Sequence, residues 1–131
     1  MIGLDTNVIV RYIVRDDPVQ SAKATQIFEQ QISESDPGFV SVVALVETVW
    51  VLERFYRYRR AEILDEVERL LMRDSLIIER ESEVVSAWTA VEETGVEFAD
   101  ALIAACGAAA GCLYTLTFDR RALRLPGFET A

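Results

Sequence analysis

Four acidic residues of this chain stand in apolar surroundings. Asp5 is the only charge before Arg11, and Glu47 is the only ionisable residue between Asp36 and Glu53. Asp100 is the sole charge from Phe98 to Phe118, and Asp119 follows that stretch directly. The other acids, out of 22, sit among polar neighbours. A carboxylate among apolar groups is costly unless something pairs with it. Two carboxylates about 5 Å apart repel by roughly 3 kcal/mol at an effective dielectric of about 20, so a cluster needs protons or divalent cations. Oxygen-only ligands select a hard ion, Mg²⁺ or Mn²⁺, over zinc. Such a centre lowers the pKa of a bound water and aims it for in-line attack on a phosphoryl group. Three of the acids also have a structural reading. Asp5 and Asp100 suit the N-terminal turns of helices, and Glu47 suits a wet stripe on one.

The elements that must position these acids alternate along the chain. Ile2 and Leu4 begin a strand that ends in Asp5, with Thr6 and Asn7 as caps for a helix through Val8, Ile9, Tyr12 and Ile13. Pro18 opens a second helix running to Ser33, and Asp36-Pro37-Gly38 is a turn. Phe39 and Val40 form a short strand, followed by a third helix over about 42–56 that is apolar nearly all round and so expected to be buried. Ala61 to Asp74 is amphipathic, Leu76 to Ile78 is a strand, and Ser82 to Glu93 is a helix stopped by Gly95. Asp100 falls in the first turn of an apolar helix closed by Gly111. Leu113 to Phe118 is a strand, and a Pro126-Gly127 turn leads into a short tail. Strands and helices that alternate along the chain predict a parallel α/β sandwich, whose strand C-termini share one edge.

Composition narrows the chemistry. The chain has no histidine, which excludes Ser-His-Asp and Cys-His catalysis and most zinc sites. A net charge of -9 argues against tight non-specific nucleic-acid binding by the bare protein, but not against a site where metal ions bring positive charge. Arg54, Arg57, Arg59 and Arg60 alternate with Phe55, Tyr56 and Tyr58, and Arg120 and Arg121 follow Asp119. Such sets hold phosphates and stack on bases, or else form a helix end and a solvated turn. At 131 residues, 51% hydrophobic and 27% charged, the chain is expected to form one globular domain. Cys106 and Cys112 read as buried thiols. No run resembles a signal peptide or a membrane span, so a cytoplasmic protein without membrane association is expected.

Taken together, the chain resembles PIN-domain ribonucleases, above all the VapC-type toxins of toxin–antitoxin pairs. The resemblance rests on Leu4-Asp5-Thr6-Asn7-Val8, on Glu47, on Phe98-Ala-Asp-Ala-Leu-Ile-Ala-Ala105 and on Thr115-Leu-Thr-Phe-Asp119, and it covers residues 1–131 as a single domain. It implies a three-layer α/β/α fold with a parallel sheet of four or five strands. It also implies Mg²⁺- or Mn²⁺-dependent cleavage of single-stranded RNA. By that likeness Asp5, Glu47, Asp100 and Asp119 hold metal and activate water, while Thr6, Asn7 and Thr117 orient them. A homodimer and a small antitoxin partner are implied as well, with the arginines serving RNA or antitoxin. Some members carry a further acid two residues past the last; here Arg121 stands in that place, and one bound ion is expected rather than two. Compact length and the lack of an appended RNA-binding domain favour a toxin over a housekeeping PIN nuclease that processes RNA. A non-catalytic PIN-like binding module is the reading from another class. A phosphatase with Asp5 as nucleophile lacks its usual second Asp, since Asn7 occupies that place.

Overall fold

A computed structural model describes all residues, 1–131. Contacts gather into two compact units, Met1–Glu79 and Arg80–Ala131.

In the first unit three short parallel strands, β1 (Ile2–Gly3), β2 (Gly38–Val40) and β3 (Leu76–Ile78), lie in that order, with Ile2 opposite Gly38 and Gly38 opposite Leu76. Parallel neighbours require crossovers, and pairs of helices supply them. The helices α1 (Thr6–Val14) and α2 (Pro18–Gln26) connect β1 to β2, and α3 (Val42–Arg54) and α4 (Arg60–Leu71) connect β2 to β3. Gly38 sits where the core is tightest: a Cβ there would lie 2.9 Å from Leu4 Cδ1 and 3.2 Å from both Ile32 Cδ1 and Leu76 Cδ2. Ile9, Phe28, Val40, Leu45, Leu52 and Val67 fill the interior. Burying each such side chain stabilises the fold by roughly 1.5–3 kcal/mol.

The helix starts follow local chemistry. Asp17 accepts the backbone N–H groups of Val19 (3.1 Å) and Gln20 (3.0 Å), with Pro18 where its missing N–H costs nothing. Ser41 accepts from the Ala44 N–H (3.1 Å) and opens α3. At α1 the capping residue is Asp5, not the expected Thr6 or Asn7, which are already helical. The second helix also ends sooner than expected, at Gln26, and passes through a wider π-helical turn, Ile27–Gln31.

In the second unit α5 (Glu81–Thr94) and α6 (Phe98–Ala109) pack against each other, and Val84, Ala87, Val91, Phe98, Ala101 and Leu102 are buried. Gly95 takes a left-handed φ of 76° between them, which an L side chain adopts at a cost. Two parallel strands follow, β4 (Thr115–Thr117) and β5 (Phe128–Thr130), joined through a 3₁₀ turn at Ala122–Arg124. The short tail after the Pro126-Gly127 turn is therefore a strand. It lacks an apolar alternation and is fixed by its ladder to β4, with Thr115 opposite Phe128.

The fold is α/β with every strand pairing parallel, as the alternating pattern predicts. The five strands form two ladders, of three and two strands. Two burial expectations fail. Cys112 is exposed and Cys106 half-buried, both as free thiols, because Cys112 falls in the loop beyond α6. The third helix is not buried all round either. Ala44, Leu45, Thr48, Val49 and Leu52 face inward, while Val43, Glu47 and Trp50 form an open stripe. No helix is long and apolar enough to cross a membrane.

Candidate active site

Within the first unit the site grows from the turn between β1 and α1. Leu4 is buried and its N–H bonds the Phe39 carbonyl (2.9 Å), which fixes the end of the strand. The next residue, Asp5, leaves the strand in an extended conformation and turns its Oδ1 onto the Thr6 N–H (2.8 Å). Thr6 in turn donates its hydroxyl to Glu47 Oε1 on α3 (3.2 Å). One threonine thus holds both acids, each through a single oxygen, and the second oxygen of each carboxylate has no hydrogen-bond partner in the chain. Both carboxylates open onto a cavity of about 420 Å³, lined also by Asn7, Arg11, Trp50 and Phe55. Asn7 lines this cavity without a hydrogen bond to either acid.

Asp5 and Glu47 are exposed, contrary to the burial that their apolar sequence neighbours suggest. Apolar neighbours in sequence turn inward at helical spacing, and the acids take the remaining face. Asp119 is exposed too, and only Asp100 is half-buried.

Within the second unit Asp100 occupies the first turn of α6, where the helix dipole favours an anion. Burial nevertheless raises its carboxyl above the ordinary range. Glu97 and Asp119 raise it further by like-charge repulsion, and Arg121 opposes them. Asp119 is set by a local turn: its N–H donates to Thr117 Oγ1 (3.0 Å), and its Oδ1 accepts from the Arg121 N–H (2.9 Å). The Arg121 guanidinium stands 3.8 Å from the same oxygen. Glu97 was not among the sequence candidates. Its signal is its place three residues before Asp100, at the N-cap of α6 beside the first turn that carries Asp100.

The acids therefore come together as two pairs, Asp5 with Glu47 and Asp100 with Asp119. In neither unit do three or more His, Cys, Asp or Glu side chains converge so as to hold a metal ion by themselves. The donor chemistry fits a hard divalent cation all the same. Every candidate ligand is a carboxylate oxygen, the donor type that a hard cation selects.

The arginines differ in what they do. Arg59 lies just before α4, where Glu62 accepts its N–H (2.9 Å) and its Nε (3.2 Å). Arg54 is 3.7 Å from Glu53, Arg57 takes a left-handed φ of 56°, and Arg60 is the first residue of α4. All four are exposed, as is Arg120, and none lines the cavity of Asp5 and Glu47.

The model of the family described as "PIN domain" matches residues 2–127, across both units. This chain belongs to the PIN domain family. A comparison with curated proteins gave no match. PIN domains are typically nucleases, a kind of hydrolase, and such nucleases generally use divalent metal ions. Of the aromatic residues of this PIN domain's cavity, Trp50, Phe55 and Tyr56, only Trp50 lies outside the arginine-rich run that the sequence marks for stacking. The signal for Trp50 is its place three residues after Glu47 on one helix.

Proposed function

We propose that this PIN domain is a Mg²⁺- or Mn²⁺-dependent endoribonuclease that cleaves single-stranded RNA and acts as the toxin of a toxin–antitoxin pair. The observation that carries the nuclease reading is the Thr6 bridge between Asp5 and Glu47 inside a chain that matches the PIN family over residues 2–127. Bound metal would supply an activated water and offset charge on the phosphate and the leaving oxygen. Asp5, Glu47, Asp100 and Asp119 are the residues that would hold it. Thr6 keeps the first two carboxylates in fixed orientation, each with one oxygen open to a ligand. The Arg121 N–H holds one oxygen of the Asp119 carboxylate, and Thr117 accepts the Asp119 backbone N–H. Burial, then Glu97 and Asp119, raise the Asp100 carboxyl, and a bound cation would lower it.

The toxin role rests on the likeness to VapC-type proteins, whose members form homodimers and are silenced by a small antitoxin. The test of activity is cleavage of a mixed tRNA and rRNA pool by pure protein with Mn²⁺ or Mg²⁺, beside EDTA and an Asp100→Asn variant. Cuts that vanish in both controls support the metal nuclease, and no cuts under any metal favour a binding module. The toxin role is tested separately by growth arrest on expression and its relief by the product of a short neighbouring reading frame. Cleavage without arrest points to housekeeping RNA processing.

A further inference from the structure

The cavity that begins at Asp5 and Glu47 continues into a wall that hydrolysis does not use. Trp50 leaves 57% of its surface open and Phe55 78%. Glu47 and Trp50 stand three residues apart on α3, so carboxylate and indole are neighbours on one face of the helix. Phe55 ends that helix, and its ring lies 6.2 Å from that of Tyr56 at a tilt of 51°. Tyr56 is itself anchored: its hydroxyl donates to Asp16 (2.9 Å) and accepts from Arg11 (3.0 Å). Tyr56, beside Phe55, is therefore held in place before any ligand arrives.

We infer that Trp50 and Phe55 form a stacking subsite for a nucleobase of single-stranded RNA, beside the phosphodiester that the acids address. This rests on the nuclease reading. Arg11 is the only cation lining the cavity, and it is already engaged by Gln20 (2.8 Å), Asp16 (3.1 Å) and Tyr56. With no free cation for a phosphate, the ring faces are what the wall offers, and every base has a face that stacks on them. The size agrees. About 420 Å³ is within the range of small-ligand clefts, and two rings fall far short of the roughly 800 Å² per partner of a stable protein interface.

The test uses the Asp119→Asn protein, so that RNA is not cut, with Mn²⁺ and a fluorescein-labelled adenosine RNA hexamer read by anisotropy. Trp50→Ala and Phe55→Leu should each weaken binding about tenfold, while Trp50→Phe and Phe55→Tyr keep it. A hexamer of abasic ribose phosphate should bind the parent weakly and the two ring-deleted variants no more weakly still. Unchanged affinity for the adenosine hexamer overturns the subsite, as does an equal loss on both hexamers. A change confined to the mass in solution overturns it in favour of a protein interface. Cleavage by the wild-type chain is measured beside it. Cutting with unaffected hexamer binding removes the subsite alone, whereas ring-dependent binding by a chain that cuts no RNA upholds the stacking wall and removes the nuclease reading.

Discussion

The Thr6 hydroxyl donates to Glu47 across 3.2 Å and 41 positions of sequence. The same residue gives its backbone N–H to Asp5, so the turn after β1 fixes an acid on its own strand and another on α3. Groups that orient metal-binding side chains typically contribute ten- to hundredfold to activity when removed. Thr6→Val keeps the N–H and deletes the hydroxyl, and metal-dependent RNA cleavage should fall by about that factor. Thr6→Ser should retain most of it. Because the bond is exposed, the thermal melt should move by less than about 1 kcal/mol. Unchanged cleavage rates in Thr6→Val would make the hydrogen bond incidental.

Asp100 gives a pH signature. Its folded carboxyl is raised above the ordinary 3.8 by burial, then by Glu97 and Asp119. A raised acid favours folding while protonated; that stabilisation is complete below about pH 3.8 and is lost as pH rises through the folded value. At neutral pH and without metal, Asp100→Asn should therefore melt higher than the wild type. The gap should close in acid. A variant that melts lower at pH 7 would make Asp100 a structural carboxylate.

Arg121 competes with a cation for Asp119. One unit charge about 5 Å away contributes roughly 1 kcal/mol in a water-like dielectric. Arg121→Ala should tighten Mn²⁺ binding about three- to fivefold by calorimetry at low salt, with less effect at high salt. No change at low salt would leave Arg121 as a turn residue only, acting through its backbone N–H.

Two glycines of the first unit should respond differently to a methyl group. Gly38→Ala places Cβ within 2.9–3.2 Å of Leu4, Ile32 and Leu76, and overpacking of this kind costs about 1–3 kcal/mol. At Gly3 nothing lies within 4 Å of an added Cβ. Denaturant midpoints should separate the two variants clearly. Equal midpoints would mean that the δ-methyl groups around Gly38 yield without cost.

Much of the fold was decided by local chemistry and is legible in the chain. Asp17-Pro18, Ser41 and Gly95 mark helix ends because capping bonds and left-handed φ values belong to particular residue types. The strand-then-acid pattern at Asp5 and Asp119 likewise marked both positions. Exposure was not legible. Glu47 lies in an apolar run, yet only one side of α3 finds partners, and which side is decided by packing from elements far away in sequence. β5 was invisible because Phe128–Thr130 becomes a strand only by its ladder to β4. The sequence by itself determined the acids, the absence of histidine and the alternation that makes a parallel α/β fold. Only the tertiary structure decided that Thr6 ties Asp5 to Glu47, that Glu97 and Asp119 press on Asp100, and that Trp50 and Phe55 wall the cavity. Those are contacts between residues on different elements or on one face of a helix, and distance in space is not written in order along the chain.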